Sequence, residues 1–186
     1  MANHYQNETD ERLIAAIAQK NGAAFAVLYD RYGQRMYRYF YRMFWQNAAQ
    51  SEDFTQDLFL KIIEKAHTFR HESSFKTWVY TLAANMCKNE FRRVQYRENA
   101  VLPTVEIFTD DLPQLLDDAM TAAALRSCME QLDLPQKDCF VLRYQEDLSV
   151  REISEILGLP EGTVKSRLHR ALQKVSALVI KAGIIP

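Results

Sequence analysis

The chain is poor in residues that break helices and in residues that cross-link. It has five glycines and five prolines in 186 residues. No proline occurs before Pro103, and no glycine lies between Gly33 and Gly158. Such long stretches without breakers favour helices over a turn-rich β design. Three cysteines, Cys87, Cys128 and Cys139, are too few and too scattered for a disulfide framework or a structural zinc site. Small buried or half-buried thiols are the expected reading. No apolar run approaches the roughly 20 residues that span a bilayer, so no membrane insertion is expected. The opening MANHYQNETDER is polar and lacks the apolar stretch of a signal peptide, which makes the cytoplasm the expected location. There is no excess of positive charge either. The formal net charge is −1, so any nucleic-acid binding must come from local patches.

What is present is an ordinary globular balance, 48% apolar and 25% charged, with apolar residues at three- and four-residue spacing and no persuasive alternating strand. The expected fold is all-α. Two small helical domains, residues 1–97 and 119–186, are joined by a flexible acidic linker at 98–118. That linker holds Glu98, Glu106, Asp110, Asp111, Asp117 and Asp118, together with Pro103 and Pro113, and no Lys or Arg. Fully extended it reaches on the order of 70 Å.

In the first block, Asp10 to Gln19 reads as a helix with Leu13, Ile14 and Ile17 inward. Gly22 and Gly33 bracket or punctuate the next helices, whose apolar residues include Phe25, Leu28, Tyr29, Met36, Phe40 and Phe44. Ser51 has the N-cap residue type for a helix to about Ala66, with Phe54, Leu58, Ile62 and Ile63 on one face. After the loop TFRHESS, a helix runs from about Phe75 to Gln95. In the second block, Ala119 to Leu132 forms a helix. Pro135 opens another at its first turn, with Phe140, Val141 and Tyr144 apolar.

The sharpest signal is SVREISEILGLPEGTVKSRLHRAL. Ser149 and Glu152 make a capping-box pattern, Gly158 fits the left-handed turn position, and a second helix follows: a helix-turn-helix. Val150, Ile153, Ile156 and Leu157 form the inner face of its first helix. Val164, Leu168, Ala171, Leu172 and Val175 form that of its second. Lys165, Ser166, His169 and Arg170 lie on the opposite side, bordered by Arg167 and Lys174. A basic second helix of this kind suits the DNA major groove. There Arg reads guanine and Lys holds phosphate.

Two further stretches carry chemistry. FRHESSFKTWVYTLAANMCKNEFRR interleaves Phe75, Trp78 and Tyr80 with Arg70, Lys76, Lys88, Arg92 and Arg93. Aromatics among cations suit single-stranded nucleic acid, although aromatics on a helix also build core. SEDFTQDLFLKIIEKA has a polar face of Asp53, Gln56, Asp57, Lys61 and Glu64, either solvated or a docking surface. His67 and His71 lie four apart near Glu64 and Glu72, but no further convincing ligand or nucleophile joins them. No catalytic residue, metal or cofactor is expected.

SEDFTQDLFLKIIEKAHTFRHESSFKTWVYTLAANMCKNEFRR resembles region 2 of bacterial sigma factors, and LPQKDCFVLRYQEDLSVREISEILGLPEGTVKSRLHRALQKV resembles region 4. Two such blocks with a short connection resemble the extracytoplasmic-function (ECF) class. The resemblance implies a non-catalytic subunit that binds core RNA polymerase, recognises promoter DNA at two elements, duplex and single-stranded, and aids strand opening. It implies that Asp53, Gln56, Asp57 and Lys61 dock on the clamp of the largest polymerase subunit, and that the second domain meets the flap of the second-largest. The start-proximal element falls to the loop from His67 to Ser74, including Phe69 and His71, and then to Phe75, Lys76, Trp78, Asn85, Lys88, Asn89, Arg92 and Arg93. The upstream element falls to Thr163, Lys165, Ser166, Arg167, His169 and Arg170. An anti-sigma factor is a further implied partner. Phe54 and His169 depart from the commonest residues of the class. The competing reading is a stand-alone helix-turn-helix regulator, which leaves the first block without a task.

Overall fold

The computed structural model describes residues 5–45, 47–70, 72–98 and 131–181. Two compact units divide the chain, Met1–Pro103 and Thr104–Pro186. Among the described residues all regular structure is helical.

The first unit begins with α1, Asp10–Ala18, capped by the Thr9 side chain, with Asp10 and Glu11 in its first turn where carboxylates are favoured. Leu13, Ile14 and Ile17 are buried as the spacing predicts. The two acids also clamp later helices. Asp10 accepts from the Tyr32 hydroxyl and, at 2.6 Å, from Arg31. Glu11 accepts from the Phe75 backbone N–H at 3.2 Å.

The next helix, α2, is one element, Gly22–Met43, capped by the Asn21 side chain. Gly33 does not punctuate it. A Cβ at Gly33 would lie 3.3 Å from the Tyr29 ring, which packs beside it. That ring in turn meets Phe59 at 4.6 Å. A mid-helix glycine costs about 1 kcal/mol relative to alanine, yet the helix runs through it unbroken. Tyr29 itself stays 44% exposed.

Helix α3, Ala48–Lys65, starts earlier than Ser51, because Asn47 is the cap. Ser51 is buried inside the helix and its hydroxyl donates to the Asn47 carbonyl at 2.6 Å. Leu58 and Ile62 face the core and Phe54 is half-buried. Ile63 is 45% exposed, against the expectation of an inward face. A short 3-10 turn, Ala66–Thr68, leads to α4, Phe75–Glu98. The core where these helices meet includes Met36, Tyr39, Phe40, Phe75, Val79 and Tyr80. Each such fully buried side chain contributes about 1.5–3 kcal/mol.

The second unit contains α5, Leu134–Phe140, capped by Asp133, with Pro135 in its first turn. A wider turn continues it over Val141–Gln145. Phe140 and Val141 are buried, but Tyr144 is 49% exposed. Helix α6, Val150–Leu157, carries the full capping box: Ser149 N–H donates to Glu152 at 2.8 Å and Glu152 N–H to the Ser149 hydroxyl at 3.2 Å. Gly158 ends it in the left-handed region, φ 64° and ψ 39°. Helix α7, Glu161–Lys181, follows after Pro160. Ile153 and Ile156 are buried; Val150 and Leu157 are half-buried. Glu98, expected to open the linker, is instead the last residue of α4, because the helix runs past Gln95 without a breaker. The rest of the expected linker, 99–118, and the expected helix from Ala119 lie outside the described residues as far as residue 130. Gln131 and Leu132 are turn and bend, not helix.

Candidate nucleic-acid and docking surfaces

Helix α7 is anchored by Val164, Leu168, Ala171 and Val175, all buried. Leu172, assigned to that inner arc by its spacing, is 40% exposed. Lys165, Ser166, His169 and Arg170 are all exposed together on the other side, and Thr163 is half-buried at their edge. The Ser166 hydroxyl donates to the Thr163 carbonyl at 2.9 Å. Lys165 lies 3.9 Å from Glu161 one turn back, an exposed pair worth little in water and easily exchanged for a phosphate. Arg167 differs from its neighbours. It is half-buried and lies close enough to the Cys139 thiol on α5 to act on it electrostatically. Burial pushes the Cys139 thiol up to about 11, and Arg167 acts in the opposite sense. Arg167 is therefore part of the joint between α5 and α7, and does not stand free with Lys165 and Arg170.

The second surface lies on α4. At about 100° per residue, Asn85, Lys88, Asn89 and Arg92 fall on one arc of about 100°, and all four are exposed. Trp78 lies on the same arc about two turns earlier, half-buried, with its ring 5.5 Å from that of Phe69. The start of the helix is fixed twice: Ser74 accepts from the Thr77 N–H at 3.1 Å, and Glu11 holds the Phe75 N–H.

Three residues assigned to this surface from sequence are placed elsewhere. Phe75 is fully buried, 5.1 Å from the Tyr32 ring and beneath Phe69 and Trp78, so it supports the surface without reaching it. Lys76 is half-buried and, by helical phase, nearly opposite the exposed arc. Arg93 turns about a quarter of the way round the helix to pair with Glu90 at 2.8 Å. Glu90 is nearly buried and also takes a long hydrogen bond, 3.5 Å, from Gln50 on α3. The Phe75 pattern was ambiguous because core and stacking aromatics share residue type. Glu90 was the overlooked signal for Arg93, an acid three positions before a base. His71 lies outside the described residues.

The third surface lies on α3. Asp53, Gln56 and Asp57 are exposed and Lys61 is half-buried. Leu60, 57% exposed, stands in the middle of this arc, among Asp53, Gln56, Asp57 and Glu64. Sequence reasoning missed it because LFLKII supplies apolar residues at nearly every phase of the helix. Leu60 thus adds an exposed apolar side chain to the polar face. Beside it, an open groove of about 690 Å³ runs between α2 and α3, lined by Tyr29, Gln34, Tyr37, Glu52 and Gln56 among others. Among the described residues no group of three His, Cys, Asp or Glu is placed to hold a metal, and no helix is long and apolar enough to cross a membrane.

Residues 28–97 match the family model Sigma-70 region 2, and residues 122–175 match Sigma-70, region 4. The chain is 32% identical over 173 residues to the ECF RNA polymerase sigma factor SigW of Bacillus subtilis, covering 86% of this chain and 91% of that protein. It is 30% identical over 162 residues to the ECF RNA polymerase sigma factor BldN of Streptomyces coelicolor, covering 84% of this chain but 60% of BldN. In fold it resembles CnrH, solved in complex with the cytosolic domain of CnrY, with a TM-score of 0.70, 24% identity and coverage of 94% of this chain and 99% of that one. It also resembles the sigma factor RpoE solved with the anti-sigma factor NepR from Bartonella quintana, with a TM-score of 0.69, 21% identity and coverage of 83% and 96%.

Proposed function

We propose a division of labour for this chain, which belongs to the extracytoplasmic-function (ECF) RNA polymerase sigma factors: residues 1–97 dock on core polymerase and hold the opened promoter, 98–118 link, and 119–186 read the upstream element. A sigma factor is a transcription initiation factor and not by itself an enzyme. The stand-alone regulator is disfavoured, because it leaves the region 2 match without a role.

In this reading, Lys165, Ser166, His169 and Arg170 meet the major groove, with Thr163 at the edge and Arg167 orienting the helix through Cys139. Asn85, Lys88, Asn89 and Arg92 follow the non-template strand of the start-proximal element, and Phe69 and Trp78 flank the position of an unstacked base. Extruding a base costs a few kcal/mol, which ring contacts and a cationic face offset. The linker lets both readers engage one promoter, raising affinity without new contacts. Asp53, Gln56, Asp57, Leu60 and Lys61 dock on the clamp of the largest subunit, and the second unit meets the flap of the second-largest. The protein works in the cytoplasm. A partner of the kind found with RpoE, an anti-sigma factor, covers these faces when transcription is off.

One observation carries the assignment: a single chain joins a region 2 match and a region 4 match, and both present exposed polar or cationic helix faces. The docking face is tested by measuring affinity for core polymerase. Leu60→Asp and Asp57→Ala should each weaken it about tenfold or more, the magnitude of an interface hot spot, with thermal melting unchanged. Unaltered affinity in both would place docking on another surface.

A further inference from the structure

Helix α2 carries Arg31, Arg35, Arg38 and Arg42, which fall within about 60° of arc at about 100° per residue. From Arg31 to Ser51 the chain has no acidic residue. Arg31 is committed to Asp10, 2.6 Å away, and to the Gln6 carbonyl. Arg35 crosses to α4: its Nε donates to the Tyr80 hydroxyl at 2.8 Å, and its guanidinium lies 5.8 Å from that ring. Arg38 is exposed and Arg42 half-buried.

The register between the two helices follows from three contacts. Tyr32 meets Phe75 at 5.1 Å, Arg35 meets Tyr80, and Trp45 meets Phe91 at 5.1 Å. The offsets, 75 − 32 = 43, 80 − 35 = 45 and 91 − 45 = 46, mean that α2 and α4 run side by side in the same direction. Arg38 is then level with Ala84, and Arg42 with Lys88. Helix α3 packs on another edge of α2, through Tyr29–Phe59 and Phe40–Phe54. By helical phase, the arginine row and the Lys88–Arg92 row border the same α2–α4 seam, on the side away from α3.

We propose that Arg38 and Arg42, with Arg35 behind them, form a second phosphate track that carries the promoter DNA backbone beyond the Lys88–Arg92 face of α4. The inference rests on the reading of α4 as a DNA face. Guanidinium groups match phosphate oxygens in a two-pronged geometry and keep their charge at any working pH. Arg35 to Arg42 spans about 10 Å along the helix, the length of about three phosphate steps on one strand. Such a track positions DNA and does not read sequence.

The test uses holoenzyme reconstituted with R38A/R42A, R38K/R42K and K88A/R92A, and promoter DNA selected by the wild-type holoenzyme. Each lost phosphate contact lowers the slope of log affinity against log salt by about 0.7–0.9. R38A/R42A should therefore lose about 1.4–1.8 of slope with unchanged affinity for core polymerase, and R38K/R42K should keep the wild-type slope. A wild-type slope in R38A/R42A overturns the track, as does a loss of core affinity without a slope change, which assigns the row to polymerase. K88A/R92A probes α4 separately: an unchanged slope there strikes the α4 reading and with it a track that continues that face, whereas a reduced slope there with a wild-type slope in R38A/R42A strikes the track alone.

Discussion

Arg167 and Cys139 show how one side chain can leave the role its position suggests. The arginine sits in the basic run of α7, yet its half-buried guanidinium lies against the buried Cys139 thiol of α5. A thiol whose pKa is raised on folding stabilises the fold fully below its ordinary value of 9.0. That contribution is lost as pH climbs from there to about 11, because the unfolded chain then ionises first. Thermal melting of the wild type should fall across this window by the equivalent of up to about 2 kcal/mol more than that of Cys139→Ala. The comparison with Cys139→Ala isolates the thiol, since the Tyr32 phenol, raised by burial and by Asp10, also weakens the fold at high pH. Parallel melting curves for the two proteins would remove Cys139 from the account. At this scale the sequence was least legible. Phe75, Arg93 and Arg167 have the residue types of a nucleic-acid site, but burial, Glu90 and Cys139 decide where they go, and those partners are set by tertiary packing.

At the scale of elements, legibility tracked how local the signal is. The capping box at Ser149 and the turn at Gly158 are complete within a few residues, so α6, its end and the start of α7 follow from the sequence. The start of α3 does not, since Asn47 and Ser51 both have cap chemistry and only one position is free to fill. Gly33 reads as a break until the Tyr29 ring is seen to occupy the space beside it. The arginine row of α2 was hidden because its significance depends on which helix lies alongside. Gly158 gives the element-scale prediction. Its surroundings are open, with nothing within 4 Å of an added Cβ, so only backbone strain opposes a side chain there. Gly158→Ala should destabilise the second unit by about 1–2 kcal/mol, read as a lower thermal midpoint with the helix content retained at low temperature. An unchanged midpoint would mean that the left-handed turn is not held in solution.

For the whole molecule, a net charge of −1 conceals segregation. Acids collect at 98–118, while cations line the outer faces of α4 and α7 and one row of α2. A near-neutral total disfavours indiscriminate DNA binding, and under the proposed division of labour the local faces meet the promoter once polymerase brings the two units to it. The chain alone should therefore bind DNA weakly. Its action as a sigma factor is best tested by transcription with purified core polymerase on a random promoter pool, followed by sequencing of the transcripts. Addition of this chain should enrich templates sharing two short elements at a fixed spacing, with K165A/R170A relaxing the upstream one and K88A/R92A lowering yield from both. No chain-dependent transcripts, together with tight sequence-specific binding by the chain without polymerase, would contradict it.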